Sequence, residues 1–520
     1  MKSVWTKTIA MAIASALSVA CFAGCGKEEA VDTKKIRYWS GMSPAMATSL
    51  ENMGDMGMYK ELEKKTGIQL EFLHPPVGQV EEQFNLLIAS GESDLPDLIE
   101  YDWINYPGGP DKAISDGIIL DLTELIEKFA PNMKKAVEED ELRRKQSTTD
   151  QGAWFGFPSL NTGNYRTFGG LLIRQDWLDE LGLPMPETLE EWETTLKAFK
   201  EKKGAKAPLT FDSSTINTFH FNNAFDVGLT EYVDNGKFKL PQLEPGYQAY
   251  VETMNRWYRE GLLDSEFDTN NSTVVDAKMT NGSSGVTYGF IGGTIGRYVN
   301  AMKDKEPGYK LAAAPFPVAQ KGDEPRFMEY QKEATNPFVA VTSNCKDPES
   351  AVKMMDFFYT EEGLKLKNFG VEGETYNVVD GKCVYTDEIL KNPDGLSIAE
   401  AMSKNFRANS PAPGFNQIED YLMQYYELPE QREALQTWAK YGKNAAETIR
   451  PAITPTMEES EELISIRSEI NTYTKEMTTK FIKGTEPLEN YDKFVDQLIS
   501  MGTERYVELN QQALDRYETR

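Results

Sequence analysis

Between Lys35 and Trp103 the chain switches its hydrophobic period four times, and no other feature narrows its fold as much. Lys35–Trp39 reads as a strand stopped by Ser40-Gly41, Met58–Lys65 as a helix closed by Gly67, and Ile68–Leu73 as a second, alternating strand. Val80–Ala89 is helical up to Gly91, and Leu95–Glu100 is a third strand that delivers Tyr101, Asp102 and Trp103. Strands that alternate with helices in this way form a largely parallel α/β sheet with helices on both faces. Ligands of such sheets sit outside the carboxyl ends of the strands. Trp39-Ser40 and Tyr101-Asp102-Trp103 fall at those ends.

At 520 residues the chain is too long for one hydrophobic core and requires two or more domains. The stretch Gly152–Gly182 marks where they meet. An aromatic run, Trp154, Phe155 and Phe157, stops at Pro158. A polar, glycine-punctuated loop with Asn161, Asn164, Tyr165 and Arg166 follows, and an apolar strand, Leu171–Ile173, leads into a helix bearing Trp177. The chain leaves one packed unit, crosses a gap lined with rings and hydrogen-bonding groups, and enters another, as an interdomain cleft requires. A second glycine-rich strand and turn, around Tyr288 and Phe290, is expected to cross back. Thr188 with Glu191, and Asp121 with Glu124, make capping-box patterns ahead of helices. Asp234-Asn235-Gly236 marks a hairpin. Trp177, Trp192 and Trp257 lie at helical spacing among apolar residues and read as core.

Residues 1–24 read as a leader. Lys2 and Lys7 precede an apolar run, Ile9–Ala20, that is too short for a membrane span. Phe22-Ala23-Gly24-Cys25 resembles the lipobox of bacterial lipoproteins, in which the cysteine, here Cys25, is acylated; two acyl chains make a stable anchor, with residues 25–35 as a lipidated tether. The 82 acidic and 55 basic residues leave a formal charge of −27, which repels nucleic acid and anionic lipid. Cys345 and Cys383 are either free or bonded to one another. Two histidines, His74 and His220, and no Cys/His cluster give no expectation of a metal site. Asp268–Asn271 lacks the twelfth-position ligand of a calcium loop. Gly289–Gly296 has the wrong glycine spacing for a dinucleotide site, and no catalytic motif is present, so no cofactor is expected.

The ordered set of motifs resembles the extracellular solute-binding proteins, family 1, of bacterial ABC importers, and within them the LplA-type carbohydrate-binding lipoproteins of Gram-positive bacteria. The segments that carry it are the lipobox at Cys25, Tyr101-Asp102-Trp103 through Tyr106-Pro107-Gly108-Gly109-Pro110, Trp154 to Ser159, Ile173 to Leu178, Pro186 to Trp192, and Asp347-Pro348-Glu349 before Thr360-Glu361-Glu362-Gly363. The resemblance implies a two-lobed periplasmic-binding-protein-like fold of type II, its α/β lobes joined by hinge crossovers. It puts one lobe at 36–160 plus 290–343 and the other at 166–289 plus 344–520. It implies a monomeric receptor on the extracytoplasmic face of the cell membrane that closes on an oligosaccharide or other polar solute. The receptor would then deliver that solute to ABC permease subunits and their ATPase, with no chemistry of its own.

A sugar presents apolar C–H faces that lie on rings and hydroxyls that need dense hydrogen bonding. The ligand-binding candidates are therefore Trp39, Tyr101, Asp102, Trp103, Trp154, Asn161, Arg166, Tyr288 and Phe290. Two other classes compete. A surface-anchored glycoside hydrolase needs two facing carboxylates, which so acidic a chain always offers. A glycan adhesin or sensor would share the binding chemistry and have no importer.

Overall fold

The computed structural model describes residues 34–520 apart from 48, 92–94, 164, 215–220, 409 and 417. The leader, Cys25, most of the tether, Asn164 and His220 lie outside the described residues.

The period changes at the start of the chain become β1 (Lys34–Trp39), the helix Gly57–Thr66, β2 (Ile68–Leu73), the helix Val80–Ala89 and β3 (Leu98–Tyr101). Gly67 closes the first of these helices in the left-handed conformation, φ 70°, which a glycine adopts without strain. β1 pairs in parallel with β2 on one side and β3 on the other, so Trp39, Leu73 and Tyr101 end on the same edge. β4 (Phe157–Asn161), β10 (Ala334–Val341) and β13 (Gly414–Asn416) complete a six-stranded sheet in the order β13-β4-β10-β3-β1-β2. β10 runs antiparallel to both β3 and β4, so the sheet is mixed.

A second sheet has three antiparallel strands, β8 (Val286–Phe290), β5 (Gly169–Arg174) and β9 (Leu311–Ala313), with β5 in the centre. The two glycines that open β5 are required by close approach. A Cβ on Gly169 would lie 2.3 Å from the Tyr288 hydroxyl, and one on Gly170 would lie 2.5 Å from Cε2 of Trp438. β6 (Tyr232–Asp234) and β7 (Lys237–Lys239) form the expected hairpin, with Asn235 and Gly236 at φ 49° and 72°. β11 (Tyr376–Val379) and β12 (Lys382–Tyr385) form a second hairpin.

The caps follow the sequence with one exception. Thr188 and Glu191 make the expected capping box on the helix Leu189–Lys202. Asp121 does not cap the helix Thr123–Phe129; its carboxylate accepts from the Thr123 N–H and hydroxyl two residues on, a local turn that competes with a cap. Trp192 and Trp257 are fully buried and Trp177 nearly so. Cys345 and Cys383 are free thiols.

The hydrophobic clusters divide the chain differently from the expected boundaries. The helices Pro348–Asp356, Glu361–Phe369 and Ile398–Asn405 share one cluster with β1, β2 and β4, and β13 joins the first sheet. The segment from about 345 to 426 therefore belongs to the first unit, because its apolar helix faces have only that sheet to cover. Residues 453–517 share their cluster with Leu171, Trp192 and Trp257 in the second unit. The expected return crossing near Phe290 is also displaced. After β8 the chain turns through Ile291–Ile295 and the helix Gly296–Met302, and comes back as β9 beside β5. It reaches the first sheet only at β10, so 314–333 is the second crossing. A third runs from the helix Pro429–Ala439 to the long helix Met457–Lys483.

Candidate functional site

The two main crossings run side by side and are strapped together. The Asn161 N–H donates to Glu333 O at 2.9 Å and its side-chain amide to Lys332 O at 2.7 Å. Farther along, the Gln331 N–H donates to Arg166 O at 2.9 Å. Arg166 also binds the Glu333 carboxylate and donates to the Tyr330 hydroxyl at 3.2 Å. Gln146 donates to Glu333 at 2.7 Å and accepts from the Ala334 N–H at 2.7 Å. Asn161 and Arg166, expected as solute ligands, thus have their polar groups engaged in joining the two crossings.

Beside this strap lies a cavity of about 1060 Å³ bounded by both units. Tyr106 to Gly109 close it from the first unit, Ser213, Ser214, Tyr247 and Tyr250 from the second, and Lys332 and Asn336 from the second crossing. The long helix contributes Arg467, Asn471, Thr474 and Thr478. Its volume matches the upper range of pockets that enclose small-molecule ligands. Several groups on its lining residues are buried without a hydrogen-bond partner in the chain: Asn336 Oδ1, Arg450 Nε, Arg467 Nε, Ser460 Oγ and Thr474 Oγ1.

The remaining expected ligands fall into three sets by exposure. Trp103 is fully buried, its indole N–H donating to Ile99 O at 3.2 Å, and it packs edge-on to Phe84. Trp39 joins the same cluster, and Trp154 is buried beneath the helix Thr123–Phe129 in the larger core. A tryptophan at a strand end is as apolar as one inside, and here the sheet's own helices cover the rings. Trp103 therefore presents no ring face to a solute in this conformation. The half-buried set is Tyr101 and Asp102. The Tyr101 ring stacks on Phe84 at 3.5 Å, and Asp102 accepts from Asn105 at 2.7 Å and from the Asn336 amide, which ties it to the cavity wall. Phe290 is the most exposed, at 43%, stacked on Phe168 and edge-on to Tyr288.

Glu329 and Lys332, both on the second crossing, are displaced from their ordinary values. Burial raises Glu329 to about 6, opposed by the hydrogen bond from the Tyr288 hydroxyl. Burial, reinforced by Arg450, lowers Lys332 to about 8, against the pull of Asp102 and Glu333. Neither residue was singled out from the sequence, since Glu329 to Glu333 is a short polar run without period. Nor were Arg450 and Arg467, which line the cavity from the third crossing and the long helix. Among the described residues no group of three or more His, Cys, Asp or Glu is placed to hold a metal, and Asp268 pairs with Lys483 at 2.6 Å.

A two-lobed body with a cavity between its lobes and paired hinge segments is the architecture of a solute receptor. The profile of the bacterial extracellular solute-binding proteins matches residues 54–365, and the chain belongs to that family, one of binding proteins rather than enzymes. Lipoprotein LipO of Bacillus subtilis is 25% identical over 70% of this chain and 73% of its own length. The fructooligosaccharide ABC transporter substrate-binding protein FusA of Streptococcus pneumoniae is 22% identical over 94% of this chain and 91% of its own. Among solved structures, the alginate-binding protein AlgQ2 without calcium ion superposes with a TM-score of 0.75 at 24% identity, covering 93% of this chain and 98% of that one.

Proposed function

We propose that this protein is a lipid-anchored, extracytoplasmic receptor of an ABC importer that captures an oligosaccharide between its lobes and passes it to the permease. The observation that carries the reading is the interlobe cavity of about 1060 Å³, large enough for several sugar rings and bordered by rings and hydrogen-bonding groups together. FusA and AlgQ2, whose names specify a fructooligosaccharide and alginate, support the carbohydrate class. LipO, a lipoprotein, and the Cys25 lipobox support the anchor. Closure is a population shift: a solute that touches both lobes favours the closed state by its differential affinity. Tyr101, Asp102 and Phe290 are the expected ligands that keep exposed surface for a solute, Asp102 through its bond to Asn336 on the cavity wall, whereas Trp39, Trp103, Trp154 and Tyr288 support the surfaces they stand behind. Asn161 and Arg166 set the hinge.

A thermal-shift screen of residues 26–520 against plant, host and microbial oligosaccharides tests the reading. One structural class should stabilise the protein by roughly 2.7 kcal/mol at a hundredfold excess over Kd. Turnover of a sugar, or stabilisation by peptides alone, contradicts it. Cys25→Ala should move the full chain from the membrane to the soluble fraction.

A further inference from the structure

The charge of the cavity is opposite to that of the molecule. A chain of formal charge −27 presents an acidic surface on average. Its cavity is lined by four cations, Lys332, Arg450, Arg467 and Lys475, against two carboxylates, Glu81 and Glu231. Glu231 is already engaged. Arg450 donates to it at 2.8 Å, the Tyr506 hydroxyl also donates to it, and Arg467 Nε lies 3.9 Å away. Two guanidinium groups thus share one carboxylate, and the Nε of each lacks a hydrogen-bond partner.

Lys332 is the sharper case. Its ammonium forms no ion pair among the described residues, and the carboxylates that influence it, Asp102 and Glu333, are occupied elsewhere. Asn336 and Asn105 hold Asp102, and Arg166 and Gln146 hold Glu333. A half-buried ammonium beside a cavity, without a contacting counterion, is poorly compensated, and such groups concentrate where function uses them. Four cations spread around one cavity suit repeated, separated negative charges on a single solute, and guanidinium groups match planar carboxylates best.

We infer that the solute is an acidic oligosaccharide carrying uronate carboxylates, with Lys332 as the counterion at the hinge and Arg467 and Lys475 along the long helix. The inference rests on the receptor reading and narrows its substrate class.

Calorimetric titration of residues 26–520 with tri- to hexameric oligogalacturonates and oligomannuronates, each beside its methyl ester, separates charge from shape. The acid of at least one series should bind at least about tenfold more tightly than its ester. Lys332→Met should weaken the acid about tenfold or more and the ester less than about threefold; Arg467→Met is a second variant on a partly exposed site that tests the same claim. Raised salt should weaken only the acid. Equal binding of acid and ester, or tight binding of neutral oligosaccharides with none of the acids, overturns the acidic class and leaves the receptor reading standing. Silence toward every oligosaccharide overturns both.

Discussion

Arg407 is a buried cation and Lys332 a half-buried one, and the fold surrounds them in opposite ways. Arg407 meets Glu100 on β3 through two hydrogen bonds of 2.8 Å, with both side chains under 5% exposed. Tyr38 donates to the same carboxylate at 2.8 Å, while Tyr59, Ser410 and Pro411 O accept from the guanidinium. Every polar position there is used, which fixes Arg407, Ser410 and Pro411 against the sheet. Lys332 has carboxylates in its neighbourhood and none in contact. A closed network of charges is part of a core, whereas an open charge beside a cavity is a site waiting for its partner.

The largest expected effect is on the closed cluster. Arg407→Met leaves Glu100 buried and unpaired, and should lower unfolding free energy in urea by about 3–5 kcal/mol. A loss below about 1 kcal/mol would mean that Arg407 is no better compensated than Lys332. Trp103→Ala should cost a similar amount, about 3–5 kcal/mol, because the emptied cavity collapses only in part. Phe290→Ala, on an exposed ring, should leave stability within about 1 kcal/mol and weaken solute binding.

The open charge should respond with the opposite sign. Lys332→Met removes an uncompensated ammonium and should stabilise the empty protein at pH 7 by on the order of 1–3 kcal/mol. With a folded pKa of about 8 and an unfolded one near 10.4, the unfolded state binds more protons between those values. Native stability should therefore rise with pH across that window, and the variant should lose that rise. The smaller of the two pH-dependent effects belongs to Glu329, held at about 6. Here the folded state binds more protons between about pH 4.3 and 6, so stability falls as pH rises through that range. Glu329→Gln, whose amide oxygen still accepts from Tyr288, should remove this fall and gain about 1–2 kcal/mol at pH 7.

Much of the first sheet was legible because its period changes are sharp and its helices end on glycines such as Gly67. The Gly152–Gly182 crossing was legible for the same reason, since Gly169 and Gly170 sit where the Tyr288 hydroxyl and the Trp438 ring approach the backbone too closely for a Cβ. The return crossing was misplaced because the glycines after Tyr288 look the same whether they permit a crossing or close packing; a Cβ on Gly289 would strike Leu172 and Thr294. Helix spacing also carries no record of which sheet it covers, so only the apolar contacts of the fold join 345–426 to the first sheet. In the sequence Trp103 looks like a cleft wall because nothing there signals that Phe84 covers it. The cavity's cations come from three distant segments, and only folding brings them together.

The central claim is that Lys332 is an open charge completed by solute. Nuclear magnetic resonance of selectively labelled lysine side chains, with Lys332 assigned by its absence in Lys332→Met, reads that group alone. In the empty protein it should titrate near pH 8, and in protein saturated with a bound uronate oligosaccharide its titration should move above about pH 10 as the carboxylate favours the charged form. A titration that stays near 8 with the acidic solute bound, or lies at the ordinary lysine value in the empty protein, would contradict the account.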